Sequence, residues 1–172
     1  MTTQAAHIAR VTERDDSDSR NEAHAESLPW VMTIKVYGIP GPQGSKRFMG
    51  VKGGRGVMVE SSKKVKPWRE DVKAAAEIVR GLRAPLDCPL RLHMVFTLPK
   101  PSSAPKRRQT WPMRTPDLSK LARSTEDALT AAGVWKDDAR VVEYGLLAKR
   151  YPNEGRGALE APGVWIEIEV MG

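Results

Sequence analysis

Residues 90–98 constrain the fold most, because they predict a β-strand with a single apolar face. Five large apolar side chains occupy every second position from Leu90 to Leu98. A period of two is the spacing of side chains along one face of a strand. Such a face has to pack against a second layer, so the chain is expected to fold into a layered domain around a sheet. His93 falls on the opposite face, where we interpret it as a surface or hydrogen-bonded residue rather than a catalyst.

The remaining periodicity supplies the other elements of this domain. Apolar alternation predicts strands at about 31–39, 139–150 and 163–171, and a glycine-rich tip predicts a hairpin at 46–60. Helical spacing predicts helices at about 67–80 and 116–132, with Pro67 and Pro116 at their first positions and Thr115 as the N-cap of the second. The order β, hairpin, α, β, α, β, β predicts an α+β (α/β) single domain with a mixed sheet and two main helices.

Composition divides the chain into a tail and a folded domain, and it excludes several classes of protein and of site. Residues 1–29 are acidic and poor in large apolar side chains, so we expect a disordered tail before a folded domain at 30–172. No apolar run is long enough for a membrane-spanning helix or typical of a secretory signal. One cysteine and three widely separated histidines exclude an intramolecular disulfide and a zinc site built from these residues. The expected compartment is a reducing cytoplasm.

The folded part is strongly basic. The whole chain has a formal net charge of +7, although its first 30 residues are acidic. Residues 46–73 and 100–120 hold most of the excess lysine and arginine. Basic stretches of this kind favour a polyanionic partner such as nucleic acid, because each neutralised phosphate releases counterions. A solvated surface that only maintains solubility explains the same composition, and charge alone does not separate the two interpretations.

Carboxylates at two places in this basic domain suggest a metal site. Asp117 begins the second predicted helix, and Asp137 and Asp138 follow its end. Oxygen ligands are the ones that Mg²⁺ prefers, and a metal beside a phosphodiester activates water. Helix capping for Asp117 and turn formation for Asp137 and Asp138 are the structural alternatives. A helix of this length spans about 25 Å, so within one subunit the two places meet only if the chain doubles back along the helix or if Asp117 lies in an extended segment before it.

Three segments together resemble the RusA family of Holliday-junction resolvases, and most of all its phage and prophage members. They are the run from Arg114 to Arg123, the Asp127-Ala128-Leu129-Thr130 segment, and the run from Gly133 to Val142 that contains Asp137 and Asp138. The opening Gly38-Ile39-Pro40-Gly41-Pro42-Gln43-Gly44-Ser45-Lys46-Arg47 and the later Lys149-Arg150-Tyr151 are similar to further motifs of that family. The resemblance extends over about residues 31–171.

The resemblance implies a homodimeric, Mg²⁺-dependent endonuclease, with Mn²⁺ as a substitute, that nicks opposed strands of a four-way DNA junction in a bacterium or a bacterial host cell. A two-fold symmetric junction suits a two-fold symmetric dimer. The resemblance further implies that Asp117 and Asp138 hold the metal with help from Asp137, and that Arg123 and Lys149 stabilise charge on the scissile phosphate. The implied DNA-binding cations are Lys46, Arg47, Lys63, Lys64, Lys66, Arg69, Arg107, Arg108 and Lys120.

Ser119 is the important departure from this pattern, because the family has a metal-binding aspartate there. A neutral hydroxyl is a much weaker Mg²⁺ ligand than a carboxylate. Three explanations remain open: a junction-binding protein with weakened or absent cleavage, a replacement carboxylate such as Glu126, or an introduced substitution that blocks catalysis. Arg123 replaces a lysine of the family, which suits a phosphate clamp better than a general acid. A basic RNA-binding domain is the remaining interpretation, supported by composition alone.

Overall fold

Eight strands and α-helices make up the described fold in the computed structural model, which describes residues 31–44, 46–53, 55–60, 64–105 and 107–172. The elements are β1 (Val31–Tyr37), β2 (Lys46–Lys52), β3 (Arg55–Glu60), α1 (Val65–Arg80), β4 (Leu90–Thr97), α2 (Leu118–Ala131), β5 (Val141–Arg150) and β6 (Gly163–Val170). A 3-10 turn, Asp138–Arg140, leads into β5. The predicted tail at residues 1–29 and Lys63 lie outside the described residues.

The main sheet is mixed and has the strand order β1-β6-β4-β5. β6 is antiparallel to both of its neighbours, whereas β4 and β5 are parallel and are joined through α2. β1, β4 and β5 therefore run in one direction, and their carboxyl ends lie at the same end of the sheet. β2 and β3 form a separate antiparallel hairpin. This topology confirms the predicted α+β class with a mixed sheet and two helices.

The core lies between the sheet and the two helices. The apolar face of β4 is fully buried, as its alternation predicted, and the side chains of Trp68 and Trp135 are also buried. Trp68 in α1 donates a hydrogen bond from Nε1 to Thr125 Oγ1 in α2, at 3.2 Å. Burial of large apolar side chains is the main favourable term in such a core, and the Trp68–Thr125 bond fixes the two helices against each other.

Both helices begin elsewhere than the proline positions predicted. α2 begins at Leu118, with Asp117 as the N-cap in an extended conformation, so Thr115 is not the cap and Pro116 precedes the helix. α1 begins at Val65, two residues before Pro67, because the buried Val65 side chain extends the packed face of the helix. A proline tolerates either position, since the first turn of a helix uses no N–H donors. No helix among the described residues is long and apolar enough to cross a membrane.

Candidate active site

The acidic and basic residues singled out by the sequence lie along α2 and β5, which run side by side in opposite directions. Lys149, near the end of β5, donates from Nζ to the carbonyl oxygens of Arg114 at 3.0 Å and Pro116 at 2.9 Å, just before α2. Tyr144, in the middle of β5, donates its hydroxyl to Glu126 in the middle of α2. The chain therefore does double back along the helix. We call the line from Asp117 and Lys149 to Glu126, Tyr144 and Asp138 the α2–β5 seam.

Asp117 marks one end of the seam. Its backbone carbonyl accepts a hydrogen bond from Leu121 N at 3.1 Å, but its carboxylate makes no capping bond. The side chain is about half exposed (53%) and lies 3.1 Å from the ammonium of Lys120. An exposed ion pair of this kind is weak. The carboxylate is thus accessible to a ligand, although Asp117 is also the N-cap residue, where its charge is favourable to the helix dipole.

Lys149 fixes the chain that leads into Asp117. Two of the three N–H donors of its ammonium are used by the carbonyl groups of Arg114 and Pro116. Within the described residues no acceptor is seen for the third donor, so this donor and the positive charge can serve an anion beside Asp117. The side chain can therefore both hold the segment before α2 and attract a phosphate, the role that the sequence predicts for it.

Asp137 and Asp138 have different surroundings. The Asp137 carboxylate accepts a hydrogen bond from Ala139 N at 2.8 Å and caps the short 3-10 turn, as the turn interpretation expects. Asp138 is exposed and acts on the seam, since its charge raises the pKa of both Glu126 and Tyr144. Asp138 is thus the member of the pair whose charge reaches Glu126.

Glu126 and Tyr144 were not among the predicted site residues, although Glu126 was considered as a replacement carboxylate. Burial raises the pKa of Glu126 most, the Tyr144 hydrogen bond lowers it, and the charges of Asp138 and Asp127 raise it further. Burial and the bond to Glu126 likewise raise the pKa of Tyr144. A partly buried carboxylate with two further carboxylates nearby is an environment that a bound cation would stabilise. Only the return of β5 along α2 brings Tyr144 here, so local spacing gives no signal for it.

The seam is too long for all its carboxylates to share one ion. Asp117 and Glu126 are nine residues apart on one helix, which corresponds to about 13 Å. Asp117, Asp137 and Asp138 do not form a group of three with ligand atoms within 4.8 Å of one another among the described residues. Ser119, Arg123 and Glu126 recur at helical spacing along the solvent side of α2 and connect the two ends.

One other cluster has the composition of a metal site, and it lies on β4 and β6. His93, Glu167 and Glu169 place possible ligand atoms within 4.8 Å of one another. His93 Nδ1 accepts a hydrogen bond from Leu146 N at 2.9 Å, so the neutral ring carries its proton on Nε2. That nitrogen lies 3.2 Å from Glu169 without hydrogen-bond alignment, and Arg91 pairs with Glu169 at 2.9 Å. His93 Nδ1 and the Glu169 carboxylate are therefore engaged, as expected for a hydrogen-bonded histidine, whereas Nε2 is buried without a hydrogen-bond partner among the described residues.

The predicted DNA-binding cations have varied environments. Arg69 is held by an ion pair with Asp127, and Lys120 by the pair with Asp117. Arg123 is exposed on α2 and lowers the pKa of Glu126. The exposed cations also include Lys64, Lys66, Arg107 and Arg108. Only the backbone of Lys46 and Arg47, in β2, is described.

A small α+β domain that lines exposed carboxylates and cations along one helix and strand has the character of a nuclease. The family model described as endodeoxyribonuclease RusA matches residues 39–169, and the chain belongs to this family. The match contains the whole α2–β5 seam and confirms the resemblance found in the sequence motifs. A comparison with curated proteins found no match for the chain.

Proposed function

We propose that this protein is a Mg²⁺-dependent endonuclease that resolves four-way DNA junctions by symmetric paired nicks, as a homodimer in the bacterial cytoplasm. The observation that carries the proposal is the RusA family match over residues 39–169, which includes the seam. A junction has two equivalent strands to cut, so a two-fold dimer with one seam per subunit supplies two sites in matching positions.

The donor set of the seam fits a hard divalent cation. Asp138 and Glu126 offer carboxylate oxygens at one end, where burial and then the charge of Asp138 raise the pKa of Glu126, and Asp117 offers an accessible carboxylate at the other end. Oxygen ligands suit Mg²⁺, and Mn²⁺ accepts the same donors. A bound metal would supply an activated water and stabilise the leaving oxygen. We propose Asp117 and Asp138 as metal ligands at the two ends of the seam, with Asp137 in support of Asp138, because within one subunit the two ends are too far apart to share an ion.

The basic residues then position the DNA. Lys149 and Arg123 lie on the two sides of the seam, where they would stabilise negative charge on the scissile phosphate. Exposed cations elsewhere, including Lys66, Arg107 and Arg108, would contact backbone phosphates and set orientation without reading sequence. Lys149 has the strongest geometric support, because its ammonium is already fixed next to Asp117.

Cleavage of a strand-labelled four-way junction in Mg²⁺ tests the proposal. We expect symmetric nicks from this chain and a loss of at least about 100-fold in Asp138→Asn, since one lost charge-stabilising group typically costs that much. Lys73→Gln, an exposed cation on α1, is the control for general charge and should cut normally. Cleavage by Asp138→Asn at the rate of this chain would contradict the assigned site.

Ser119 favours one alternative, a junction-binding protein with weak or absent cleavage. Its hydroxyl is exposed at the start of α2, where the family has a carboxylate. Ser119→Asp in the same assay separates the two functions. Cleavage only by Ser119→Asp would identify this chain as a binder that lacks a metal ligand, whereas cleavage by both would show that serine is tolerated.

A further inference from the structure

A pocket of about 510 Å³ opens beside Asp117, at the end of the sheet where β1, β4 and β5 finish. Its walls come from the segments that follow these three strands and from the segment that precedes α2. The carboxyl ends of parallel strands are the usual location of ligand sites in open α/β sheets, and this volume is within the usual range for a small ligand. The metal and scissile-phosphate roles proposed above do not use it, although Lys64, one of the predicted DNA-binding cations, lines it.

The lining gives the pocket a rigid, largely apolar surface. Of the twelve described residues that line it, half are prolines: Pro40, Pro42, Pro99, Pro101, Pro112 and Pro116. Proline rings fix the backbone and lose little side-chain entropy when a ligand binds, so the walls are preformed. The loop after β1 is also tied to α2, because Gln43 N donates to the carbonyl of Lys120 at 2.8 Å. Tyr151, directly after β5, adds one aromatic ring to the wall.

The charge of the pocket points to an anionic ligand. Among the described residues, Lys64 and Arg114 are its charged lining residues, and no described carboxylate lines it. Both are exposed, and neither makes an ion pair within the part of the chain that the structure describes. By contrast, Arg69, Lys100 and Lys120 are each held by a carboxylate. A ligand with a flat apolar ring and an attached phosphate would match this largely apolar pocket and its two exposed cations.

We propose that this pocket receives an unstacked nucleobase of the DNA strand, next to the phosphate that Lys149 holds beside Asp117. Thr115 and Pro116 line the pocket and directly precede Asp117, so a base in the pocket and a phosphate at Asp117 are neighbours. Stacking on aromatic and apolar side chains is how proteins hold such bases. The inference rests on the proposed junction-resolving function and adds a subsite that positions one nucleotide.

The test measures whether one nucleotide position is coupled to the pocket. A four-way junction receives a single abasic site at each nucleotide around the branch point in turn, and Kd is measured without divalent metal. We expect one position at which loss of the base weakens binding by this chain by about tenfold, the typical value of one stacked base. In Ile39→Ala and Tyr151→Ala this penalty should fall to less than about twofold, because the wall that held the base is reduced.

Matched variants make the result decisive. Ile78, on α1, is 55% exposed and Ile39 is 59% exposed, so Ile78→Ala is the control and should keep the penalty. Tyr151→Phe retains the aromatic ring and should therefore retain the abasic-site penalty. This variant separates loss of stacking from damage to the fold. An equal penalty in this chain and in both pocket variants would overturn the pocket while leaving junction binding intact. Failure of this chain to bind any junction would overturn the proposed function and the subsite together. If an acidic peptide bound this chain and bound the pocket variants more weakly, while no nucleotide position depended on the pocket, the pocket would belong to a protein partner. That result would also overturn the proposal.

Discussion

At the scale of single residues, the main question is how the seam functions with serine at position 119. Glu126 lies on the same side of α2 as Ser119 and interacts with Asp138. It is not equivalent to an aspartate at 119, because seven residues of helix separate the two positions by about 10 Å. If Glu126 contributes a ligand, the ion lies nearer to Asp138 than to Asp117. Ser119→Asp and Glu126→Gln therefore report on different ends of the seam.

The raised pKa of Glu126 gives a stability prediction for Glu126→Gln in metal-free protein. The folded carboxyl binds its proton more tightly than the unfolded one, whose ordinary pKa is 4.5. This contribution to stability is fully present below that pKa and is lost as the pH rises through the higher folded value. The free energy of unfolding of the chain, minus that of Glu126→Gln, should thus decrease from pH 4 to pH 7. Because Glu126 is partly exposed, we expect a change below about 1 kcal/mol.

Urea denaturation at each pH measures these free energies of unfolding. Glu160→Gln is the control, because its contribution to stability should change with pH in the opposite direction. The hydrogen bond from Tyr37, at 2.7 Å, lowers the pKa of Glu160. Its contribution is therefore present above the ordinary pKa of 4.5 and is lost as the pH falls through the lower folded value. The difference between the chain and Glu160→Gln should thus shrink below that pH. A Glu126 difference that stays flat or grows toward pH 7 would contradict the assigned environment.

At the scale of elements, the loop after β1 holds the two helices together. Gly41 packs on the start of α1, where an added Cβ would lie 2.3 Å from the carbonyl oxygen of Lys64 and 2.9 Å from Trp68 Cβ. Its own carbonyl accepts a hydrogen bond from Ser124 Oγ in α2, at 2.6 Å. The glycine in this family motif therefore has a packing reason, because only a residue without a side chain permits this approach.

Gly41→Ala should destabilise the protein by about 2 kcal/mol. The backbone of Lys64 cannot move aside without shifting α1, and the Ser124 hydrogen bond would lengthen with the loop. Urea denaturation measures this change. Gly172→Ala is the control, since nothing lies within 4 Å of its added Cβ, and it should stay within about 0.5 kcal/mol. Equal stability of Gly41→Ala and the unsubstituted chain would show that this contact is not tight.

Periodicity predicted the type of each element well, and their boundaries and pairings less well. The alternation around Phe96 and the helical stripe through Leu129 each reflect one buried face, which is a local property of the sequence. The start of α2 was wrong by two residues, because the cap is set by the backbone conformation of Asp117 and not by the proline before it. Strand order depends on contacts between distant segments, and no local pattern encodes it.

At the scale of the whole molecule, the parts of the candidate site that rest on local motifs were predictable, and the parts that rest on contacts between distant segments were not. Sequence motifs located Asp117, Asp138 and Lys149, and the structure places them along one helix–strand pair. Tyr144 and the proline-lined pocket arise only when β5 returns along α2 and three strand ends meet. The pocket and Asp117 lie at the carboxyl ends of the strands, whereas Asp138 precedes β5. A DNA strand that reached both ends would thus follow the length of α2.

The net charge of +7 leads to a prediction about salt. Arg107 and Arg108 are exposed in the segment before α2, and neither makes an ion pair within the described residues. If each contacts a phosphate, Arg107→Gln/Arg108→Gln should lower junction affinity and reduce the slope of log K against log salt by roughly 1.8, since each contact contributes about 0.9. Fluorescence anisotropy between 50 and 200 mM salt measures both. Lys35→Gln/Lys73→Gln removes the same charge from exposed sites on β1 and α1 and should keep the slope. Equal slopes for the two double variants would mean that the arginines act only through net charge, because direct contacts depend on position whereas a diffuse field does not.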